Sequence, residues 1–113
     1  TQGRILMKES DLQRLIMLAL SDAGCLIWRN NTGVLKNAAG IPIKFGLCVG
    51  SSDLIGLTPS GKFLAVEIKT PKGRATPEQL RFISAVIARG GIAGIARSPQ
   101  DAIALLTQYH QAN

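Results

Sequence analysis

Apolar positions recur at helical spacing early in the chain, where Leu12, Leu15, Ile16, Leu18 and Ala19 run up to Gly24. Ser10-Asp11-Leu12-Gln13 has the S-x-x-Q order of a capping box, so the pattern predicts a helix from residue 9 or 10 to residue 23. Cys25 to Arg29 is a short apolar run that ends in Asn30-Asn31-Thr32-Gly33, which reads as a strand entering a turn. Glycines and a proline interrupt the stretch from Val34 to Gly50, and a ragged strand or hairpin around Lys44 to Val49 fits it best. Ser52 to Thr58 and Lys62 to Lys69 read as two strands joined by the turn Pro59-Ser60-Gly61, together an antiparallel hairpin. Thr76-Pro77-Glu78-Gln79 opens a helix with a capping residue, a proline at the first helical position and an acid in the first turn. That helix runs to Arg89 before Gly90-Gly91, with Leu80, Ile83, Val86 and Ile87 as its apolar face. Ile92 to Ala96 reads as a short buried strand, and Ser98 caps a last helix through about Tyr109. The order helix, strands, helix, strand, helix predicts a three-layer α/β domain with a central mixed sheet flanked by helices.

Length and composition narrow this picture. With 113 residues and 46% hydrophobic content the chain suits one domain, taken as residues 7–113. Residues 1–6, ahead of Met7, are set aside as a leader or cloning remnant. No apolar stretch reaches the roughly 18 to 20 residues of a membrane span, and the start lacks a secretory apolar core, so a soluble, cytoplasmic protein is expected. Cys25 and Cys48 each sit in an apolar run and are expected as reduced core residues. Neither has a second Cys or a His at ligand spacing, which argues against zinc. The glycine-rich segments lack nucleotide-loop spacings, so no nucleotide cofactor is indicated. Thirteen Lys and Arg against seven Asp and Glu leave a formal charge of +6, which suits a polyanion such as nucleic acid.

The candidate chemistry lies on the second strand of the hairpin. Side chains alternate across a strand, so Glu67 and Lys69 point one way while Val66 and Ile68 point the other. Phe63, Leu64, Ala65, Val66 and Ile68 mark this strand as buried on at least one face, where a charge needs a partner or a task. Pairing across the turn brings Asp53 toward Glu67. Two converging carboxylates without Cys or His favour Mg²⁺ or Mn²⁺, and Lys69 adds a positive charge beside an attacked phosphate. The alternative is an exposed strand face of mixed charge. Against it, Asp11, Glu78 and Asp101 have first-turn explanations and Asp22 lies near a helix end, while Asp53 and Glu67 have none.

The run Gly50-Ser51-Ser52-Asp53-Leu54-Ile55-Gly56, then Val66-Glu67-Ile68-Lys69, Gly73-Arg74-Ala75-Thr76-Pro77-Glu78-Gln79, and Gly90-Gly91 before Ala96-Arg97-Ser98 resembles the VRR-NUC domain, a branch of the PD-(D/E)xK nuclease superfamily. The resemblance covers residues 9 to about 107. It implies a restriction-endonuclease-like fold, with Asp53 and Glu67 as metal ligands and the backbone carbonyl of Ile68 as a third. It implies Lys69 as catalytic lysine and Gln79 as a helix residue that helps hold the site, although Thr76 to Gln79 equally forms a T-x-x-Q cap. Glu9 matches an acid that the first helix supplies to the metal in this family. Ser52 stands where the superfamily name has proline.

Lys72, Arg74 and Arg81 follow the catalytic strand, and Lys36 and Lys44 lie in the irregular segment. All five are candidates for a phosphate track, against the alternative of a solvated basic face. Trp28, Tyr109 and His110 have no matching catalytic partners and are assigned to packing or surface. The expectation is a Mg²⁺- or Mn²⁺-dependent DNA endonuclease. By resemblance it acts on branched or Holliday-junction DNA in repair, as a homodimer, in a bacterial or phage-infected cell. The rivals are a noncatalytic DNA-binding accessory module and, since side chains alone do not separate DNA from RNA, a ribonuclease.

Overall fold

The computed structural model describes residues 7–108. Helix α1 (Glu9–Asp22) leads into strand β1 (Leu26–Arg29), then β2 (Gly33–Lys36), β3 (Pro42–Phe45), β4 (Leu54–Leu57) and β5 (Phe63–Ile68). Helix α2 (Pro77–Ala88), strand β6 (Ile92–Ala96) and helix α3 (Pro99–Gln108) complete it. The main sheet has the order β1-β4-β5-β6, with β5 and β6 parallel and the other pairs antiparallel, while β2 and β3 form a separate two-stranded ribbon.

Burial divides the sheet by residue parity. Leu54, Leu64, Val66, Ile68, Ile92 and Ala96 face α1 and α3, where Leu12, Ile16, Leu20 and Ala102 close the main core. Ala65 and Ala93 face the other way, against Ile83, Phe82 and Val86 of α2. The expected three-layer mixed α/β arrangement is therefore what the chain adopts. Fully burying one of these Leu or Ile side chains is worth about 1.5–3 kcal/mol, which makes the two cores the main source of stability.

Helix ends follow local chemistry. At α2, Thr76 Oγ1 accepts from the Gln79 N–H at 3.1 Å and Gln79 Oε1 accepts from the Thr76 N–H at 2.9 Å. Past its other end, Gly90 at φ +89° lets Gly91 N–H reach Val86 O and its own N–H reach Ile87 O, a Schellman closure. At α3 the Ser98 hydroxyl accepts from the Asp101 N–H at 3.0 Å. The last two residues assigned from sequence, Tyr109 and His110, lie outside the described residues.

Four expectations need correction. The Ser10-Gln13 capping box does not form: Lys8 is the N-cap of α1, without a side-chain cap, and Ser10 already lies inside the first turn. The strand or hairpin expected around Lys44 to Val49 lies earlier in the chain: the ribbon runs from Gly33 to Phe45, so Lys44 and Phe45 are in a strand and the residues from Gly46 to Val49 are not. On α2, Leu80 and Ile87 are exposed, and the packed side turns to Phe82, Ile83 and Val86, since the helix covers only the narrow Ala65 and Ala93 surface. Cys25 is buried as expected, whereas Cys48 is exposed in the loop beyond β3.

Candidate active site

The site forms where β4 begins and the parallel strands β5 and β6 end, an edge at which backbone groups and following loops converge. Asp53 stands one residue ahead of β4 and not within it, as the sequence reading had it. The β4–β5 register pairs Leu54 with Val66, so one step further Asp53 comes opposite Glu67 on the α2 side of the sheet. The Asp53 carboxylate also accepts the Ile68 N–H at 2.9 Å, which ties it to β5. Lys69 follows β5 on the same side, and its Nζ lies 3.4 Å from Glu67 Oε2.

Asp53 is held from the other side as well. Asn30, just past β1, donates its N–H to the Asp53 carbonyl at 2.8 Å, and its Nδ2 donates to Ser51 Oγ at 2.7 Å and to the Ser52 carbonyl at 2.9 Å. The returning loop then passes so close to the start of α2 that a Cβ at Gly50, whose φ is +87°, would collide with the Glu78 backbone. The loop is thereby held against α2 just ahead of Asp53.

Glu67 is 2% exposed and its Oε1 has no hydrogen-bond partner among the described residues. Its carboxyl is pushed up to about 7, first by burial, then by the Asp53 charge and a hydrogen bond between the two carboxyl groups. Lys69 pulls it back down, both by charge and by hydrogen bonding. A buried acid with a free oxygen, facing a second acid, has the donor chemistry to hold a cation: hard oxygen donors in this number fit Mg²⁺ or Mn²⁺, which commonly use one or two carboxylates and complete their shell with water. Among the described residues no third acid, His or Cys joins the pair to make a larger ligand group. Glu9 is accordingly not brought into it. It is exposed at the first position of α1 and does not complete a three-acid group.

Gln79 lies one turn before Ile83, on the side of α2 that faces the sheet. Its side-chain oxygen is committed to the Thr76 cap, and among the described residues no hydrogen bond joins it to Glu67 or Lys69. Lys72 and Arg74 line a pocket of about 430 Å³ with Pro71, Gly73 and Arg97, directly beyond Lys69. Arg81 is on the exposed surface of α2, 3.8 Å from Glu78. Lys36 and Lys44 are exposed on the β2–β3 ribbon.

Two residues here carry weight that sequence reasoning did not assign them. Arg97, immediately after β6, donates from Nη1 to the Thr70 and Gly73 carbonyls, both at 2.7 Å, and its own N–H goes to Asp101 Oδ2 at 2.9 Å. It therefore staples the loop that leaves Lys69. A lone cation directly after a buried apolar strand was the available signal. Asn30 was read only as turn chemistry, and nothing local in the sequence marks its bonds to residues 21 and 22 positions away.

The VRR-NUC domain family matches residues 7–100 of the chain. A solved structure titled "VRR_NUC domain" is 22% identical, with a TM-score of 0.60, covering 89% of this chain and 96% of that one. Another, titled "VRR_NUC domain protein", is also 22% identical at a TM-score of 0.60, covering 96% of this chain and 93% of that one. At that identity the two structures speak for the fold. Among curated proteins no relative matches this chain. The family match spans most of the sequence, and the fold agrees with it: the chain belongs to the VRR-NUC domain family, a nuclease-like domain.

Proposed function

We propose that this chain is a divalent-cation-dependent endodeoxyribonuclease that hydrolyses phosphodiester bonds with water as the nucleophile. The observation that carries this reading is the Asp53–Glu67 pair facing across β4 and β5 with a buried, unpartnered Glu67 oxygen and Lys69 at 3.4 Å. A module that only bound nucleic acid would gain nothing from two buried-side carboxylates that repel phosphate. Asp53, Glu67 and the Ile68 carbonyl would hold the cation, which when bound supplies Lewis-acid charge at the phosphate. Lys69 offsets the charge that builds on the phosphate during attack and helps place the water. Gln79 steadies the α2 side of the site. Lys72 and Arg74, together with Arg97, offer cations to the neighbouring phosphates, and Lys44 and Arg81 extend that track.

The substrate reading is branched DNA, cut by a homodimer whose two sites address opposed strands through two-fold symmetry. The test is incubation with supercoiled, linear and four-way-junction DNA in Mg²⁺, Mn²⁺ or chelator, alongside the Glu67→Gln protein. Cleavage that needs the cation and disappears in Glu67→Gln, with DNA binding retained, is the expected result. Binding without cleavage by the unaltered protein under every condition would transfer the assignment to an accessory binding module, and cleavage of RNA alone would change the substrate class.

A further inference from the structure

The α2 side of the main sheet is only half covered. Helix α2 packs on β5 and β6, and the register places Leu26 and Trp28 of β1, Leu57 of β4 and Phe63 of β5 on that same side. These four are 59%, 51%, 37% and 39% exposed. The strip carries no charged side chain, which disfavours nucleic acid as its cover. The β2–β3 ribbon has the converse problem. Its register puts Leu35, Ile43 and Phe45 on one face, while Lys36 and Lys44 share the other with Val34. The apolar face is open: Leu35 is 65%, Ile43 49% and Phe45 43% exposed, with Ile41 beside them at 55%. A two-stranded ribbon of this kind is marginal unless something covers it.

We infer that these two surfaces are made for each other across a dimer: the apolar face of one chain's β2–β3 ribbon seats on the open β1–β4 half-sheet of a second copy, reciprocally about a two-fold axis. This rests on the paired reading above and specifies where the pairing occurs. Each surface exposes about 400 Å² of apolar residue area, so the two together supply on the order of 800 Å² per copy, the share each partner contributes to a standard-size interface. The Asn30 bonds to Ser51 and Ser52 tie together the two ends of the segment that carries the ribbon, while the apolar strip on its own sheet stays exposed. Seated this way it packs as a second sheet layer and leaves Lys36 and Lys44 turned outward, available to phosphate.

The experiment needs no catalysis. Trp28 is the chain's one tryptophan and lies in the proposed seat, so its emission should shift to shorter wavelength as protein concentration rises, in step with a sedimentation mass of twice 12.0 kDa. Leu35→Glu on the ribbon and Leu26→Glu on the sheet each change an exposed side chain and should each weaken association at least tenfold. Mixing the two variants should restore dimer, because one ribbon-to-sheet contact of the mixed pair is then intact. A monomer at every concentration overturns the inference. So does a dimer indifferent to both substitutions, or one lost to Leu35→Glu with no recovery on mixing, which would indicate ribbon-to-ribbon pairing. A dimer that behaves as expected but never cleaves DNA leaves this interface standing and removes the nuclease reading alone.

Discussion

Replacing Glu67 with glutamine removes a charge that folding has to hold out of water. The carboxyl sits at about 7 in the folded chain against an ordinary 4.5, and at 2% exposure little solvent screening applies. Folding thus tightens its hold on that proton. Well below pH 4.5 the group is neutral in both states and contributes no pH dependence. As pH rises from 4.5 through 7 the unfolded chain releases the proton first, and the group progressively destabilises the fold by about 3 kcal/mol in all. Glutamine keeps the shape and has no proton to lose. The stability of Glu67→Gln relative to the original protein should therefore be about 3 kcal/mol more favourable at pH 8 than at pH 4.5, equivalent to roughly 13 °C in Tm for a domain of this size. Urea denaturation at several pH values measures it, and the difference between the two proteins cancels the other titrating groups. A divalent cation should add stability to the original protein at pH 8 and much less to Glu67→Gln, because it neutralises the charge that the variant lacks. A difference that is flat from pH 5 to 8, or that reverses sign, would refute the burial of Glu67 against Asp53.

Lys69→Ala should lower single-turnover cleavage on the order of 100-fold while DNA affinity changes only a few-fold, since the lost charge acts at the reacting phosphate. Asn30→Ala removes the side-chain bonds to Ser51 and Ser52 and should cost about 1–3 kcal/mol in urea denaturation, together with a weaker divalent-cation affinity by calorimetry as Asp53 loosens. Arg97→Gln frees the Thr70 and Gly73 carbonyls, should destabilise the fold by about 2 kcal/mol, and should open the Thr70 to Gly73 loop to limited proteolysis.

What the sequence disclosed and what it withheld separate along physical lines. Periodicity within a segment is a local property, so β5, β6, α2 with its Thr76 cap and the β4–β5 hairpin were all readable, and with them the meeting of Asp53 and Glu67. Contacts between distant segments leave no periodic mark. Asn30 reaches Ser51, and Arg97 reaches back across α2 and β6 to Thr70, through single polar side chains whose neighbours in sequence predict only turns. The ribbon misled for a different reason. A strand is recognised by one buried face, and β2 and β3 bury neither within this chain, so their alternation carries no core signal and the boundaries drifted toward Val49. Leu80 and Ile87 were placed in the core because helical spacing reports which residues share a face and not how wide the opposing surface is.

The same distinction explains why the site sits where it does. Three segments set the surroundings of the Glu67 carboxyl: the lead into β4 brings Asp53, the exit of its own strand β5 brings Lys69, and Arg97 after β6 braces that exit. None of these segments can be moved without shifting a sheet register, and a one-residue slip of β4 against β5 would turn Asp53 to the opposite face. The core residues Leu54, Leu64, Val66 and Ile68 fix that register through burial on the α1 and α3 side. Packing on one face of the sheet thus determines the chemistry available on the other.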